Sequence, residues 1–294
     1  MLCACIDIGS NTTRLLVAEV RDDGSLSEVL TRRAFSRIGR ELRATGSLPA
    51  HKIDEVARTV AEQRALAESV GAEAIATVAT AAIRAAANRK DLVRAIRAQA
   101  GIEVNVLDGE EEARLAFVGA TRTLPRAPEG EVGVVDVGGG STEIAVGTLR
   151  DGVSWSTSAR IGSGFLADAY LRGDPPPVEE LQRMREHAAG ALEGLDVPRP
   201  VHAVAVGGSA ASLRTLVGPV LEPESIDRAL RVLTGAPSAE VASTFSLDPE
   251  RVRLLPAGLL ILAECASVLG LPLEIGRGGI REGVCLELGA VIGG

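Results

Sequence analysis

Short apolar runs alternate with amphipathic stretches along the whole chain. Leu2–Ile8 reads as a strand that ends at a Gly9-Ser10-Asn11 turn, and residues 13–20, rich in Leu and Val, read as a second strand. Residues 49–70 carry Ile53, Val56, Ala57, Val60 and Ala61 at helical spacing. A strand at Ala74–Ala79, a helix at 91–100, a strand at 103–107 and a helix opening near Asp108 follow. Residues 123–131, with two prolines and a glycine, form the expected boundary.

The pattern then restarts. Residues 131–137 predict a strand, Gly138-Gly139-Gly140 a turn and 143–149 another strand. Residues 6–20 (IDIGSNTTRLLVAEV) lie over 135–149 (VDVGGGSTEIAVGTL) at an offset of 129, which suggests two halves on one plan. A strand at 201–206 leads to a further glycine turn, Gly207-Gly208-Ser209, and a helix through Leu216. Helices at 225–233, 256–269 and 281–288 complete an α/β pattern. The apolar stretch 257–273 is shorter than a bilayer span and contains Glu264, so a buried helix is expected there.

Composition narrows the function. Aromatic residues make up 2% of 294, too few for a base-stacking platform, and the net charge of −8 opposes a polyanion at long range. No nucleic-acid or membrane partner is expected. Cys3, Cys5, Cys265 and Cys285 form no Cys-x-x-Cys pair, and no charged n-region or long apolar core marks the N-terminus. Reduced thiols and a cytoplasmic location are the expectation. His51, His187 and His202 are too scattered for a metal-ligand spacing. With only two lysines, Lys52 and Lys90, there is no Gly-Lys-Ser/Thr loop.

Several residues could carry chemistry. Asp7 and Asp136 each end a strand before a glycine turn, where backbone N–H groups approach an anion and glycine permits positive φ. Two simple hairpins would use the same residues. Asp136 with Glu143 offers hard oxygens for Mg²⁺, unless Glu143 is a solvated hairpin position. Within Asp108-Gly-Glu-Glu-Glu112, a capping box accounts for Asp108 and Glu111. Glu112 remains as a general base for water, or as an ordinary surface glutamate. Arg84 is placed at a strand end, pointing at the ligand. Arg32, Arg33, Arg37, Arg40 and Arg43 could also meet phosphate, but a charge run is more often a solvated face, so Arg84 is the candidate carried forward.

Taken in order, IDIGSNTTRLLV (6–17), VATAAIRAAAN (78–88), LDGEEEARLAFVG (107–119), VVDVGGGSTEIAVG (134–147), AVGGSAASLRTL (205–216) and GGIREGVCLEL (278–288) resemble the Ppx/GppA family of exopolyphosphatases and guanosine pentaphosphate phosphohydrolases. The resemblance implies two actin-like (ribonuclease H-like) domains flanking a central cleft. Domain I would span 1–122 and domain II 123–294, with the last helix, about 281–290, packing back on domain I. It implies Glu112 as catalytic base and Asp7, Asp136 and Glu143 as holders of Mg²⁺ (or Mn²⁺). Gly9, Ser10, Asn11, Arg84, Gly138, Gly139, Gly140, Ser141, Gly207, Gly208 and Ser209 would bind phosphates. The implied substrate is inorganic polyphosphate, in short chains because the longer relatives' helical C-terminal domains are not matched; pppGpp is the alternative. A homodimer is compatible. A kinase of the same superfold and a non-catalytic guanosine tetraphosphate sensor are the rival readings.

Overall fold

The computed structural model describes residues 1–293, with side chains through Val291. The chain forms two compact units, Met1–Thr123 with the segment from Gly278 onward, and Leu124–Arg277. The closing segment therefore belongs with the first unit, not with the 123–294 half.

The first unit contains β1 (Leu2–Ile8), β2 (Thr12–Val20), β3 (Leu26–Phe35), α1 (Ile38–Thr45), α2 (Ala50–Ser69), β4 (Ala74–Ala79), α3 (Ala81–Ala85), α4 (Arg89–Ala100), β5 (Val104–Val106) and α5 (Gly109–Arg122). The second contains β6 (Val132–Val137), β7 (Thr142–Thr148), β8 (Gly152–Ala159), α6 (Ser163–Tyr170), α7 (Val178–Leu192), β9 (His202–Val206), α8 (Gly207–Val217), β10 (Val220–Leu221), α9 (Pro223–Gly235), α10 (Ser238–Phe245), α11 (Pro249–Leu269) and β11 (Leu273–Ile275). Helix α12 (Ile280–Gly293) closes the chain.

The sheets are ordered β3-β2-β1-β4-β5 and β10-β11-β9-β6-β7-β8. In each, an antiparallel three-strand meander is extended by parallel strands, β4 beside β1 and β9 beside β6. The repeat seen in the sequence is thus a repeat of register: Asp7 faces Arg14 across β1–β2 as Asp136 faces Glu143 across β6–β7.

Strand β1 is buried on both faces, which explains its unbroken apolar run. Ala4, Ile6 and Ile8 join the core beneath α2 and α4 with Val56, Val60, Leu92 and Ile96. Cys3 and Cys5 point the other way, to Leu115, Val284 and Cys285. By the period of two, Asp7 shares that second face. All four cysteines are unpaired and buried, and burial pushes the Cys265 thiol up to about 12.

Helices α5 and α12 approach closely through glycine. A Cβ on Gly119 would collide with Gly279 O, and one on Gly283 with Leu115 O. Arg114 bridges the pair, donating to Glu111 at 2.7 Å and to Glu287 Oε2 at 3.0 Å. Backbone cannot yield as a flexible side-chain tip can, so Gly283→Ala should lower stability by about 1–3 kcal/mol. Urea unfolding measures this; an unshifted midpoint would show that the two helices can part at no cost.

The structure adds elements and moves others. Strand β3 carries polar and charged residues on an exposed edge and so lacks the apolar signal. Helix α11 begins at Pro249 rather than at 256, with Pro256 inside it. It is long and apolar enough to cross a membrane by length and composition, yet Leu255, Ala257, Leu259, Ile261 and Cys265 lie in the core of the second unit.

Candidate active site

In open α/β sheets, ligands bind beyond the carboxyl ends of the parallel strands. In the first unit β1, β4 and β5 run parallel, with Ile8 beside Ala79 and Ala79 beside Val106. Their exits lead to the Gly9 turn, to Arg84 and to Glu112, so three expected site residues emerge at one end of one sheet. In the second unit β6 and β9 are parallel, with Asp136 beside Val206, and lead to the Gly138 and Gly207 segments.

Glu112 lies in the first turn of α5. Asp108 caps that helix, accepting from Glu111 N at 2.9 Å, but the Glu111 side chain turns to Arg114, so only half of the capping box forms. Glu110 points to solvent, whereas Glu112 is 2% exposed. A surface position is therefore ruled out for it. Its carboxylate accepts from Arg84 Nη1, which also donates to Leu107 O at 2.6 Å. Arg84 is not at a strand end: β4 stops at Ala79 and Arg84 rides on α3. It meets Glu112 because the short helix turns its guanidinium back over the exit of β5.

The first loop is closed by Gly9 N donating to Thr12 O, and its counterpart by Gly138 N donating to Ser141 O, both at 3.0 Å. None of Gly9, Gly138, Gly139 and Gly140 has positive φ. Small size, rather than left-handed freedom, is what this place demands. A Cβ on Gly162 would stand 2.5 Å from Gly139 C and Gly140 N, and one on Gly164 3.0 Å from Gly139 O. The start of α6 is pinned to the loop, Ser163 N donating to Gly138 O and Phe165 N to Gly139 O, each at 2.9 Å. That Gly162-Ser163-Gly164 support had a legible signal in its two glycines and was missed.

The segment Gly207-Gly208-Ser209 is not a free turn but the first residues of α8. Gly207 does take positive φ, 86°, and a Cβ there would collide with Asp136 Oδ1. Ser209 is fully buried, with its hydroxyl beside Gly258 of α11 and without a hydrogen-bond partner. Arg251, absent from the sequence reading, lies beside this segment: a Cβ on Gly208 would stand 3.0–3.2 Å from its guanidinium. Arg251 is only 9% exposed, on the first turn of α11.

The three acidic residues expected to hold metal differ in setting. Asp136 and Glu143 are cross-strand partners, 8% and 2% exposed, and Glu143 accepts from Ser158 Oγ at 2.8 Å. A solvated hairpin position is therefore excluded for Glu143. Two buried carboxylates in direct register repel, and a divalent cation offsets that cost. The pair fits Mg²⁺, which takes one or two carboxylates and fills its shell with water and phosphate oxygens. Among the described residues no group of three or more metal-ligating side chains occurs, so the pair would hold an ion only with such added oxygens. Asp7 has guanidinium neighbours instead. Burial pushes its carboxyl above the usual range while Arg281 and Arg14 pull it down, and its Oδ1 has no hydrogen-bond partner.

Known proteins resemble this chain in sequence and in fold. Residues 16–289 match the model of the Ppx/GppA phosphatase family. Exopolyphosphatase 1 of Mycobacterium tuberculosis is 27% identical over 98% of this chain and 88% of its own. Exopolyphosphatase 2 of the same organism is 30% identical over 97% and 98%. The solved Aquifex aeolicus member of the Ppx/GppA family superposes with a TM-score of 0.84 at 30% identity, covering 100% of this chain and 99% of that one. An exopolyphosphatase from Cytophaga hutchinsonii shares the fold, with a TM-score of 0.87 at 19% identity over 100% and 98%. By sequence and by architecture, this chain belongs to the Ppx/GppA phosphatase family.

Proposed function

We propose that the protein is an exopolyphosphatase that hydrolyses the terminal phosphoanhydride of short inorganic polyphosphate and releases phosphate. The observation that carries this reading is the buried Glu112 carboxylate, held by Arg84 at the strand ends where the first glycine loop also emerges. A fixed carboxylate at such a place accepts a proton from water as the water attacks phosphorus. The exopolyphosphatases among its relatives, at 27–30% identity, support the same substrate.

In phosphoryl transfer most of the rate comes from positioning and charge stabilisation. Glu112 orients and deprotonates the water. In the first unit Gly9 N–H closes the loop and the N–H groups of Ser10 and Asn11 are the donors to phosphate oxygens; in the second unit Gly138 N–H closes the loop and those of Gly139 to Ser141, with Gly207 and Gly208, are the donors. Asp136 and Glu143 would hold Mg²⁺, which when bound would offset charge on the phosphate oxygens. Asp7, matched by Arg281 and Arg14, is assigned to the base of the first loop rather than to the ion.

Phosphate release from tripolyphosphate, longer polyphosphate and pppGpp, each with Mg²⁺ and with EDTA, tests the assignment. Polyphosphate should be the better substrate, and chelation should cut turnover at least about 100-fold. Faster release from pppGpp would move the assignment to pppGpp 5′-phosphohydrolase. Binding of guanosine tetraphosphate without turnover of any substrate would make the chain a sensor, and transfer to an acceptor would make it a kinase.

A further inference from the structure

The second glycine loop is held from one side by α6. Ser163 N donates to Gly138 O and Phe165 N to Gly139 O, each at 2.9 Å, and Ser163 Oγ also donates to Gly138 O at 3.2 Å. The peptides that follow Gly138 and Gly139 are trans, and in a trans peptide the N–H points opposite to the C=O. Fixing those two carbonyl oxygens on α6 therefore turns the N–H groups of Gly139 and Gly140 to the opposite side, where one anion can take both. The aim of these donors is set by where α6 begins.

The side chains of α6 show what places that beginning. Residues 162–164 are Gly, Ser and Gly, so Phe165 carries the first large side chain of the helix. Its ring meets His187 of α7 edge to face, with centroids 5.5 Å apart and planes at 68°. Tyr170, the last residue of α6, meets the same imidazole at 5.7 Å and 73°, and its hydroxyl is hydrogen-bonded to His187 Nδ1 at 2.8 Å. One histidine thus engages both ends of a two-turn helix. It is a steady anchor, because Met184 and Ala188 on either side of it are buried in the core of the second unit. Burial alone does not call for this contact, since Leu166 and Ala167 already seat α6 in that core. Edge-to-face rings and a hydrogen bond are directional, and what they add is the rotation of α6 about its own axis. On that rotation the two bonds to the loop depend.

We propose that His187, with Tyr170, is a positioning residue for phosphate binding at the second glycine loop. It acts through the Phe165 ring and the Tyr170 hydroxyl, which hold α6 so that the Gly139 and Gly140 N–H groups face the substrate. The proposal rests on the reading of the chain as a phosphoanhydride hydrolase, and the ligand it serves is a phosphate group of the substrate.

Two variants test it. His187→Ala removes both ring contacts and the hydrogen bond, whereas Tyr170→Phe removes the hydrogen bond and leaves the rings. Michaelis parameters are measured on tripolyphosphate with Mg²⁺, Kd for tripolyphosphate in EDTA, and folding by urea. His187→Ala should raise KM and Kd about tenfold and Tyr170→Phe about threefold, with kcat within about twofold of wild type. The double variant should be no worse than His187→Ala, because the phenol has by then lost its partner. A purely structural role would lower the urea midpoint and leave KM and Kd of the folded protein unmoved, and that result would overturn the proposal, as would a loss confined to kcat. Should His187→Ala fail to fold, the milder Tyr170→Phe decides on the same terms. Because binding needs no turnover, a protein that hydrolyses nothing but shows these shifts in Kd would refute the hydrolase assignment alone. Hydrolysis with KM and Kd unshifted in the variants would refute the positioning role alone.

Discussion

Glu112→Gln is expected to cut phosphate release from polyphosphate by about 10²–10⁴-fold, with the loss in kcat and little change in KM. The amide has the shape of the carboxylate, so Arg84 retains an oxygen acceptor and the helix start is undisturbed. What disappears is the capacity to take a proton at that oxygen. Glu112→Asp adds a second point, since shortening the arm by one methylene draws the oxygen back and should leave partial activity. Turnover at the wild-type level in the glutamine variant, measured on well-folded protein, would remove Glu112 from the chemistry. The assignment would then have to find another base.

The second large effect is thermodynamic. Arg84→Ala leaves a carboxylate that is 2% exposed without its guanidinium and removes the donor to Leu107 O. Removing Arg84 takes a counter-charge from a carboxylate that stays desolvated, and about 3 kcal/mol is expected. Removing both partners should be milder, so Arg84→Ala with Glu112→Ala should unfold at higher urea than Arg84→Ala alone. Arg84→Lys keeps the charge but not the geometry, for Nη1 offers one hydrogen to each of two acceptors and an ammonium has no planar fork. It should recover part of the stability and less of the activity. Equal stability of the single and double variants would show that the pair is energetically idle and that Arg84 acts only on substrate.

These two experiments separate roles that the sequence left joined. Arg84 was assigned to the substrate chain by resemblance, and the structure shows its guanidinium committed to Glu112. Positioning the base and touching a phosphate are compatible for a side chain with five donors. The urea series reads the first role, and the activity of the lysine variant reads both.

The sequence by itself determined the features carried by local order. The repeat at 6–20 and 135–149 reappears as two meanders with matching registers, because apolar alternation and tight turns are set by residues adjacent in the chain. The same holds for the cap at Asp108 and the start of α5. Membership of the Ppx/GppA phosphatases was legible in the glycine segments for that reason, and with it the actin-like, two-domain α/β architecture. Burial was not legible. Among Glu110, Glu111 and Glu112, the phase of α5 against the sheet decides which carboxylate turns inward, and that phase is set by α12, which arrives some 160 residues later. The Arg84–Glu112 pair, the placing of Ser209 against Gly258, and Arg251 beside Gly208 likewise join residues that only packing brings together. Tertiary structure alone assigns such contacts, since the energy of a buried charge or hydroxyl depends on partners that local sequence does not name.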